Sequence, residues 1–406
     1  MKIGIYREFT GGGAGLGGAE FSVAALAEGF QDWHDVEVIH DIPAFTRERI
    51  EEFFGITLNR TRFRFEPGRP VIIPDLKSRW PWRMYREAAQ WSAHLSAPYD
   101  LFICLTHYLP PFCHARDGLL IVLFPIFDRF SLWPWNQGTL GRPRGAIPVT
   151  REAIWTEIQT LSHTWIWDRR FRSYPHRQAI SEFTRRWTKK WWGVDCGVLY
   201  PPVEIGARTG EKQPIILSIG RITPEKQHLE LVQTFGAMAR AGMGGWSLCC
   251  TGGIPDRTET LAYLDEVRRA AESLPIRILT NPSRADLESS LGSARIYWHA
   301  MGYGKDETVD PFAMEHFGIA TVEAMAWGCV PVVINRGGQP EIVRHGVDGF
   351  VWNTLGELEQ YTRLLMSDDE LWAKMSESSR CRAQIFGKQR FVREVASCCG
   401  ISLNGQ

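Results

Sequence analysis

Two short stretches carry residues able to do chemistry together. The first is Ile215-Ile216-Leu217-Ser218-Ile219-Gly220-Arg221, an apolar run that reads as a strand and turns at Thr223-Pro224 into a helix containing Lys226. Arg221 and Lys226 then share one strand-to-helix turn at the carboxyl edge of a sheet, where open α/β folds bind ligands. A guanidinium fork and a point-charge ammonium at one turn suit a diphosphate. The second is Glu315-His316-Phe317-Gly318-Ile319-Ala320-Thr321-Val322-Glu323, two carboxylates eight residues apart around an aromatic-glycine step. A helix starting near Gly318 and closing at Gly328 places Glu323 inside it and Glu315 before it, with the open amides of 317–320 facing an anion. Gly337-Gly338-Gln339-Pro340-Glu341 offers another cluster of amides.

A third stretch, Gly11-Gly12-Gly13-Ala14-Gly15-Leu16-Gly17-Gly18-Ala19-Glu20, follows the first strand-like run and precedes a helical run to Phe30. Gly13, Gly15 and Gly18 fit Gly-x-Gly-x-x-Gly, and Asp41 ends the next strand some twenty residues on, the pattern of a dinucleotide site. An NAD-dependent oxidoreductase therefore stands as an alternative. The strand ends near Tyr6 to Glu8, however, which leaves a longer loop than that fingerprint needs. Under either reading, glycines at 17 and 18 let backbone amides approach an anion or a sugar at a helix N-terminus.

Elements that could position these residues recur along the chain. Apolar runs at 2–6, 36–40, 101–105, 120–124 and 178–181, then at 215–219, 247–250, 276–279, 296–299 and 330–334, alternate with helical patterns. That alternation predicts parallel sheets covered by helices. Tyr200-Pro201-Pro202 forbids helix and marks an extended connection between two such sets. The expectation is two tandem, doubly wound α/β domains, 1–203 and 204–386, with 387–406 a final helix crossing back toward the first. Arg129–Pro148, rich in Trp, Pro, Gly and Arg, reads as a long loop.

Composition narrows the function. The 406 residues carry 46 basic and 46 acidic side chains, so no global field draws the chain to nucleic acid. The halves differ: 25 basic and 21 acidic residues lie through position 200, and 21 basic and 25 acidic beyond it. Of 17 Trp, 12 fall at or before Trp192. Between 141 and 190, eleven basic residues face four acidic ones, with Trp155, Trp165, Trp167 and Trp187 interleaved and Trp191 and Trp192 following. Such a segment suits sugar stacking, phosphate contacts or a membrane interface, and equally a large core with Arg on its solvated face. Nine cysteines without Cys-x-x-Cys predict reduced, mostly buried thiols and no zinc knuckle. No run approaches the ~18 apolar residues of a membrane span, and the start shows no signal-peptide pattern. The expected setting is the cytoplasm, with the N-terminal domain the candidate for peripheral contact at the inner membrane face.

With Gly17-Gly18-Ala19-Glu20, Ala179-Ile180-Ser181-Glu182-Phe183 leading to Tyr200-Pro201-Pro202, Gly220-Arg221 with Lys226, and Glu315-x7-Glu323 all in order, the chain resembles the retaining GT-B glycosyltransferases of family 4 over nearly its full length. Glu-His-Phe-Gly-Ile is similar in wording to the dolichol-linked mannosyltransferases of that family, while Tyr303 to Phe312 is an extra stretch ahead of the motif. The resemblance implies the GT-B fold, two Rossmann-like domains with a cleft between them. It implies a nucleotide-sugar donor on the second domain, GDP-mannose or a UDP-sugar, and a glycan, lipid-linked or small-molecule acceptor on the first. Arg221 and Lys226 would neutralise the leaving diphosphate, so no metal or other cofactor is expected, consistent with the lack of an Asp-x-Asp motif at a sheet edge. Glu323 would accept from the ribose hydroxyls. Glu315 and the amides of Phe317 and Gly318 would hold the transferred sugar, with Gly17, Gly18, Gly220 and Ile319 lining the donor. His107, in Leu105-Thr106-His107, matches the family's first-domain histidine facing that sugar. A nucleotide-sugar or glycan-binding protein without turnover, or a synthase of the sucrose type, would share these features.

Overall fold

The computed structural model describes residues 1–8, 16–67, 81–126, 166–206, 210–255 and 257–403, the side chains of 81–84 apart. The chain forms two compact units. One comprises Met1–Ile180, Thr184–Leu199 and Val392–Gln406; the other comprises Ser181–Phe183 and Tyr200–Phe391.

The first unit holds a parallel sheet of seven strands: β1 (Lys2–Arg7), β2 (Asp35–His40), β3 (Arg62–Phe65), β4 (Leu101–Thr106), β5 (Asp117–Val122), β6 (His176–Ala179) and β7 (Gly197–Val198). Their spatial order is β3-β2-β1-β4-β5-β6-β7. β1 and β4, at the centre, read Lys-Ile-Gly-Ile-Tyr-Arg and Leu-Phe-Ile-Cys-Leu-Thr and are buried almost throughout, as strands covered by helices on both faces must be. The helix Gly18–Phe30 is rich in Ala, Val, Leu and Phe and buries nearly all its length. Gly17 caps it, and Glu20 Oε2 reaches back to accept from the Gly17 amide at 2.9 Å.

The second unit repeats the plan with six parallel strands: β8 (Gln213–Ile219), β9 (Ser247–Gly252), β10 (Ile276–Thr280), β11 (Ala294–His299), β12 (Val330–Ile334) and β13 (Phe350–Trp352). The order β10-β9-β8-β11-β12-β13 is that of the Rossmann fold, in which the winding reverses between the first strand and the fourth. Ile216, Leu248, Ile296, Trp298, Val330, Val332 and Trp352 from this sheet form one core with Leu231, Phe235, Val267 and Leu358 from the helices.

Ten of the strands fall where apolar runs were read. β3, β7 and β13 do not stand out in the sequence because they are two to four residues long and carry charge, glycine or a single aromatic pair. The run at 120–124 is used three residues earlier, since Asp117 and Gly118 pair with Leu101 and Phe102. The loop expected at 129–148, the glycines at 13 and 15, and Trp155 and Trp165 lie outside the described residues. The Trp side chains of that region that are described pack as core: Trp167 donates through Nε1 to the Trp192 carbonyl at 2.9 Å, and its ring lies 5.5 Å from Phe171.

Candidate active site at the switch point of the second sheet

Helices leave the two strands flanking a winding reversal on opposite faces of the sheet, opening a crevice at their carboxyl ends. In the second unit those ends are Ile219-Gly220 of β8 and His299 of β11. The chain leaves β8 tightly. The Gly220 amide donates to the Thr251 carbonyl at 3.0 Å and Ile222 to the Gly253 carbonyl at 3.0 Å. Gly220 itself leaves room for Lys226, whose Cδ would stand 3.4 Å from a β-carbon at 220. Pro224–Lys226 form a single 3-10 turn, not the start of the helix expected there. Gln227 breaks it at φ 60°, a left-handed conformation uncommon for a side chain with a β-carbon, and the helix His228–Arg240 begins only afterwards.

That break points the Lys226 ammonium back at the sheet edge, where its Nζ lies 2.6 Å from Glu315 Oε2. The same carboxylate oxygen is 3.2 Å from His299 Nε2. An ionised carboxylate can only accept, so His299 Nε2 carries the proton. Burial by itself would raise the Glu315 carboxyl, but the Lys226 ammonium and the His299 hydrogen bond outweigh it and hold it well below the ordinary range. Burial pushes His299 down against the pull of Glu315. His228, 1% exposed, is driven to about 3 by burial, with Lys226 and His299 adding to the effect. Both of its ring nitrogens lack a hydrogen-bond partner among the described residues. The cluster therefore brings together the Lys226 ammonium, the Glu315 carboxylate and the neutral imidazoles of His299 and His228.

Glu315 is held from behind. The Gly338 amide donates to the Glu315 carbonyl at 2.8 Å. A β-carbon at Gly337 would stand 2.1 Å from that carbonyl oxygen, and one at Gly338 2.7 Å from Phe317 Cα. This corrects the expectation of an amide cluster at 337–341, because Gly338 spends its N–H on the loop that carries Glu315, and the Gln339 and Glu341 amides donate to the Arg336 and Gly338 carbonyls. Phe317, 2% exposed, packs on Tyr200 and Phe386. Gly318 takes φ 124° and caps the helix Ile319–Ala326, with Gln339 Nε2 only 2.5 Å from the place of a β-carbon. The first bonds of that helix run from Thr321 and Val322 to the Gly318 carbonyl. The Ile319 and Ala320 amides, in its first turn, have no acceptor within the helix.

The remaining predicted residues stand further out. Arg221 is on the same turn as Lys226 but its guanidinium is exposed, 3.6 Å from Glu225. Glu323 lies inside the helix Ile319–Ala326, and burial, with some help from Glu204 and against Arg284, pushes its carboxyl up to about 7. A carboxyl raised in the fold holds its proton more tightly there. Its stabilising contribution is complete below the ordinary carboxylate range and is lost as pH rises through about 7. The melting temperature of wild type minus that of Glu323→Gln should therefore fall between pH 5 and 8. A difference that stays flat across that window, in thermal unfolding followed by circular dichroism, would contradict the raised carboxyl.

In the first unit, the switch point lies between β1 and β4. Gly17 and Gly18 open the helix that follows β1, and His107 follows β4 directly. Glu20 of Gly-Gly-Ala-Glu is buried and pairs with Arg7 at the end of β1, 3.4 Å away, and Thr106 Oγ1 donates to Glu8 Oε2 at 3.1 Å. Glu20 thereby ties the N-terminus of this helix to the end of β1.

His299 and His228 were not singled out in the sequence. His299 ends an apolar run at a sheet edge, the rule that selected Arg221, so its signal was present. His228 had none, since its place behind Lys226 depends on the left-handed Gln227.

Residues 206–382 match the family described as "Glycosyl transferases group 1". The chain is 29% identical over 226 residues to a GDP-Man:Man(3)GlcNAc(2)-PP-Dol alpha-1,2-mannosyltransferase of Dictyostelium discoideum, covering 51% of this chain and 42% of that protein. It is 29% identical over 142 residues to a GDP-mannose:cellobiosyl-diphosphopolyprenol alpha-mannosyltransferase of Komagataeibacter xylinus, covering 34% and 32%. The chain thus matches less than half the length of these curated relatives. Among solved structures, Anabaena HepE in complex with UDP-glucose superposes with a TM-score of 0.65 at 17% identity, with 98% of each chain covered. Sucrose-phosphate synthase of Thermosynechococcus elongatus gives 0.63 at 15%, covering 98% of this chain and 97% of that one. Residues 206–382 are thus similar to the glycosyl transferases group 1 family, and the chain carrying them has the GT-B fold with sequence similarity to dolichol-linked mannosyltransferases.

Proposed function

We propose that the protein is a glycosyltransferase that moves a hexose from a nucleoside diphosphate sugar, GDP-mannose or a UDP-sugar, to a glycan, lipid-linked or small-molecule acceptor. The observation that carries the reading is the Lys226–Glu315–His299 cluster, at the switch point of a sheet within the group 1 segment. The mannosyltransferase relatives support a GDP-mannose donor, and the HepE complex keeps UDP-glucose open.

In this scheme Lys226 and Arg221 face the diphosphate and take up the charge that develops as it leaves. The first-turn amides of Ile319 and Ala320 add donors of fixed direction. Glu315 and the amides of Phe317 and Gly318 hold the hydroxyls of the transferred sugar, and Glu323 holds the ribose. The anomeric configuration is retained: the acceptor hydroxyl attacks from the side the diphosphate leaves, and a phosphate oxygen takes its proton. Catalysis then rests on positioning and on electrostatic stabilisation of the departing charge. With two cations in that role, no metal is required. The first unit receives the acceptor, at a membrane surface if the acceptor is lipid-linked.

A panel of GDP-, UDP- and ADP-sugars, scored for nucleotide release with and without acceptors, tests the assignment. Release stimulated by an acceptor supports transfer; binding without release in every combination would leave only a sugar-nucleotide-binding protein. Activity should persist in excess EDTA, and loss restored by Mg²⁺ or Mn²⁺ would refute the metal-free scheme. The anomer formed, read by NMR, decides retention.

A further inference from the structure

Glu315 uses its two carboxylate oxygens differently. Oε2 is met from two sides, by Lys226 Nζ at 2.6 Å and by His299 Nε2 at 3.2 Å. Oε1 makes no hydrogen bond with any of the described residues, and the side chain is 21% exposed. The two donors on Oε2 are unlike. Lys226 is a flexible chain on a single 3-10 turn, and its ammonium carries a full charge. His299 is buried at the end of β11, a strand paired on both sides, with β8 and with β12. Its ring is neutral, and Nδ1 has no hydrogen-bond partner among the described residues.

In the scheme proposed above, Lys226 also serves the diphosphate, so one ammonium faces two anions. A diphosphate carries more charge than a carboxylate, and a bound donor draws the ammonium toward it. Glu315 then loses a hydrogen bond at the moment its carboxylate has to hold the sugar. A carboxylate so placed needs another donor, because burial penalises the charged form unless it is hydrogen-bonded. Lys226 still supplies opposite charge nearby, but the bond on Oε2 falls to His299. An imidazole fixed at the end of a central strand cannot follow the phosphate as a lysine chain can.

We propose that His299 is a positioning residue: its Nε2–H holds Oε2 of Glu315 while Lys226 turns to the diphosphate, so that Oε1 stays aimed at the hydroxyls of the transferred sugar. The inference rests on the transferase reading and adds to it a residue and an order of contacts. It gives a reason for two donors to converge on one carboxylate oxygen, since one is released when the donor substrate binds and the other remains. A nucleoside diphosphate without its sugar draws Lys226 in the same way but makes no use of Glu315. His299 therefore favours the intact sugar nucleotide over the nucleotide left after transfer.

The test compares the Kd of GDP-mannose with that of GDP, and the Kd of UDP-glucose with that of UDP, by titration calorimetry on the full chain. For whichever pair the wild type binds, His299→Leu should weaken the sugar nucleotide by about tenfold or more, the loss of one hydrogen bond to a charged group, and the nucleoside diphosphate by less than about threefold. His299→Gln restores an N–H donor and should return the sugar nucleotide to within about threefold of wild type. His299→Phe fills the space of the ring without a donor; it should behave as His299→Leu and serves if that variant does not fold. Equal weakening of both ligands in a folded variant would show a merely structural residue and overturn the proposal, as would wild-type affinity for the sugar nucleotide in the leucine or phenylalanine variant. A wild type that binds none of the four ligands would instead overturn the transferase reading, and the inference with it.

Discussion

Replacing Lys226 with alanine is expected to lower turnover at saturating donor by about 10²- to 10³-fold, the cost of one preorganised charge-stabilising donor. The geometry sharpens why. Lys226 is the only cation among the described residues in contact with Glu315, and its side chain is 17% exposed, so water replaces it poorly. Its loss also leaves the Glu315 carboxylate without its ammonium, so the carboxyl rises toward neutrality and the pocket loses both charges. Arg221→Ala should fall in the same direction by about 10²-fold, although Arg221 stands exposed beside Glu225 and must turn toward the diphosphate to act. Near-wild-type turnover of both variants would remove the assignment. A structural fault is separated from a chemical one by the melting temperature, which should change little for Arg221→Ala, whose ion pair with Glu225 lies on the surface.

Gly337→Ala is expected to destabilise the second unit by about 3 kcal/mol or more, combining a left-handed residue with a β-carbon and an overlap that the neighbour cannot relieve. Gly337 has φ 60°, and the atom in the way is the Glu315 carbonyl oxygen, 2.1 Å from the added carbon. That oxygen is backbone and already accepts from Gly338, so the loop carrying Glu315 must shift. The consequence reaches chemistry as well as stability: a displacement of ~1 Å can cost about 10² in rate. Thermal unfolding and turnover at a temperature where the variant is folded measure the two effects separately. A melting temperature within a degree or two of wild type would show that the loop yields at no cost. Gly346→Ala is the control, since Gly346 shares the left-handed conformation at φ 74° but has nothing within 4 Å of an added β-carbon.

Residue chemistry and order were enough to establish much of this protein. Runs such as Leu-Phe-Ile-Cys-Leu at 101–105 and Val-Pro-Val-Val-Ile at 330–334 read as strands buried on both faces, as they are in the fold, and their alternation with helices predicts parallel sheets. Glycine after a strand, a cation on the turn, and carboxylates around an aromatic-glycine step point to an anionic ligand because few other ligands reward that combination. Strand order was not legible: nothing local states that β11 lies beside β8, and it is this neighbourhood that brings His299 to Glu315 and Lys226.

Close contacts between distant segments decided the rest. Gly337 and Gly338 read as anion-binding amides until their packing on Glu315 and Phe317 assigned them to support. Lys226 read as helical until Gln227 turned left-handed and redirected it. Arg221 and Lys226 looked equivalent in sequence, yet one is exposed and the other is held by a carboxylate. The sequence alone thus determined which groups could meet a diphosphate, because that follows from residue type and from position along a strand. Only the tertiary structure decided which of them are desolvated, paired and aimed, because burial and charge–charge distance are properties of neighbours in space.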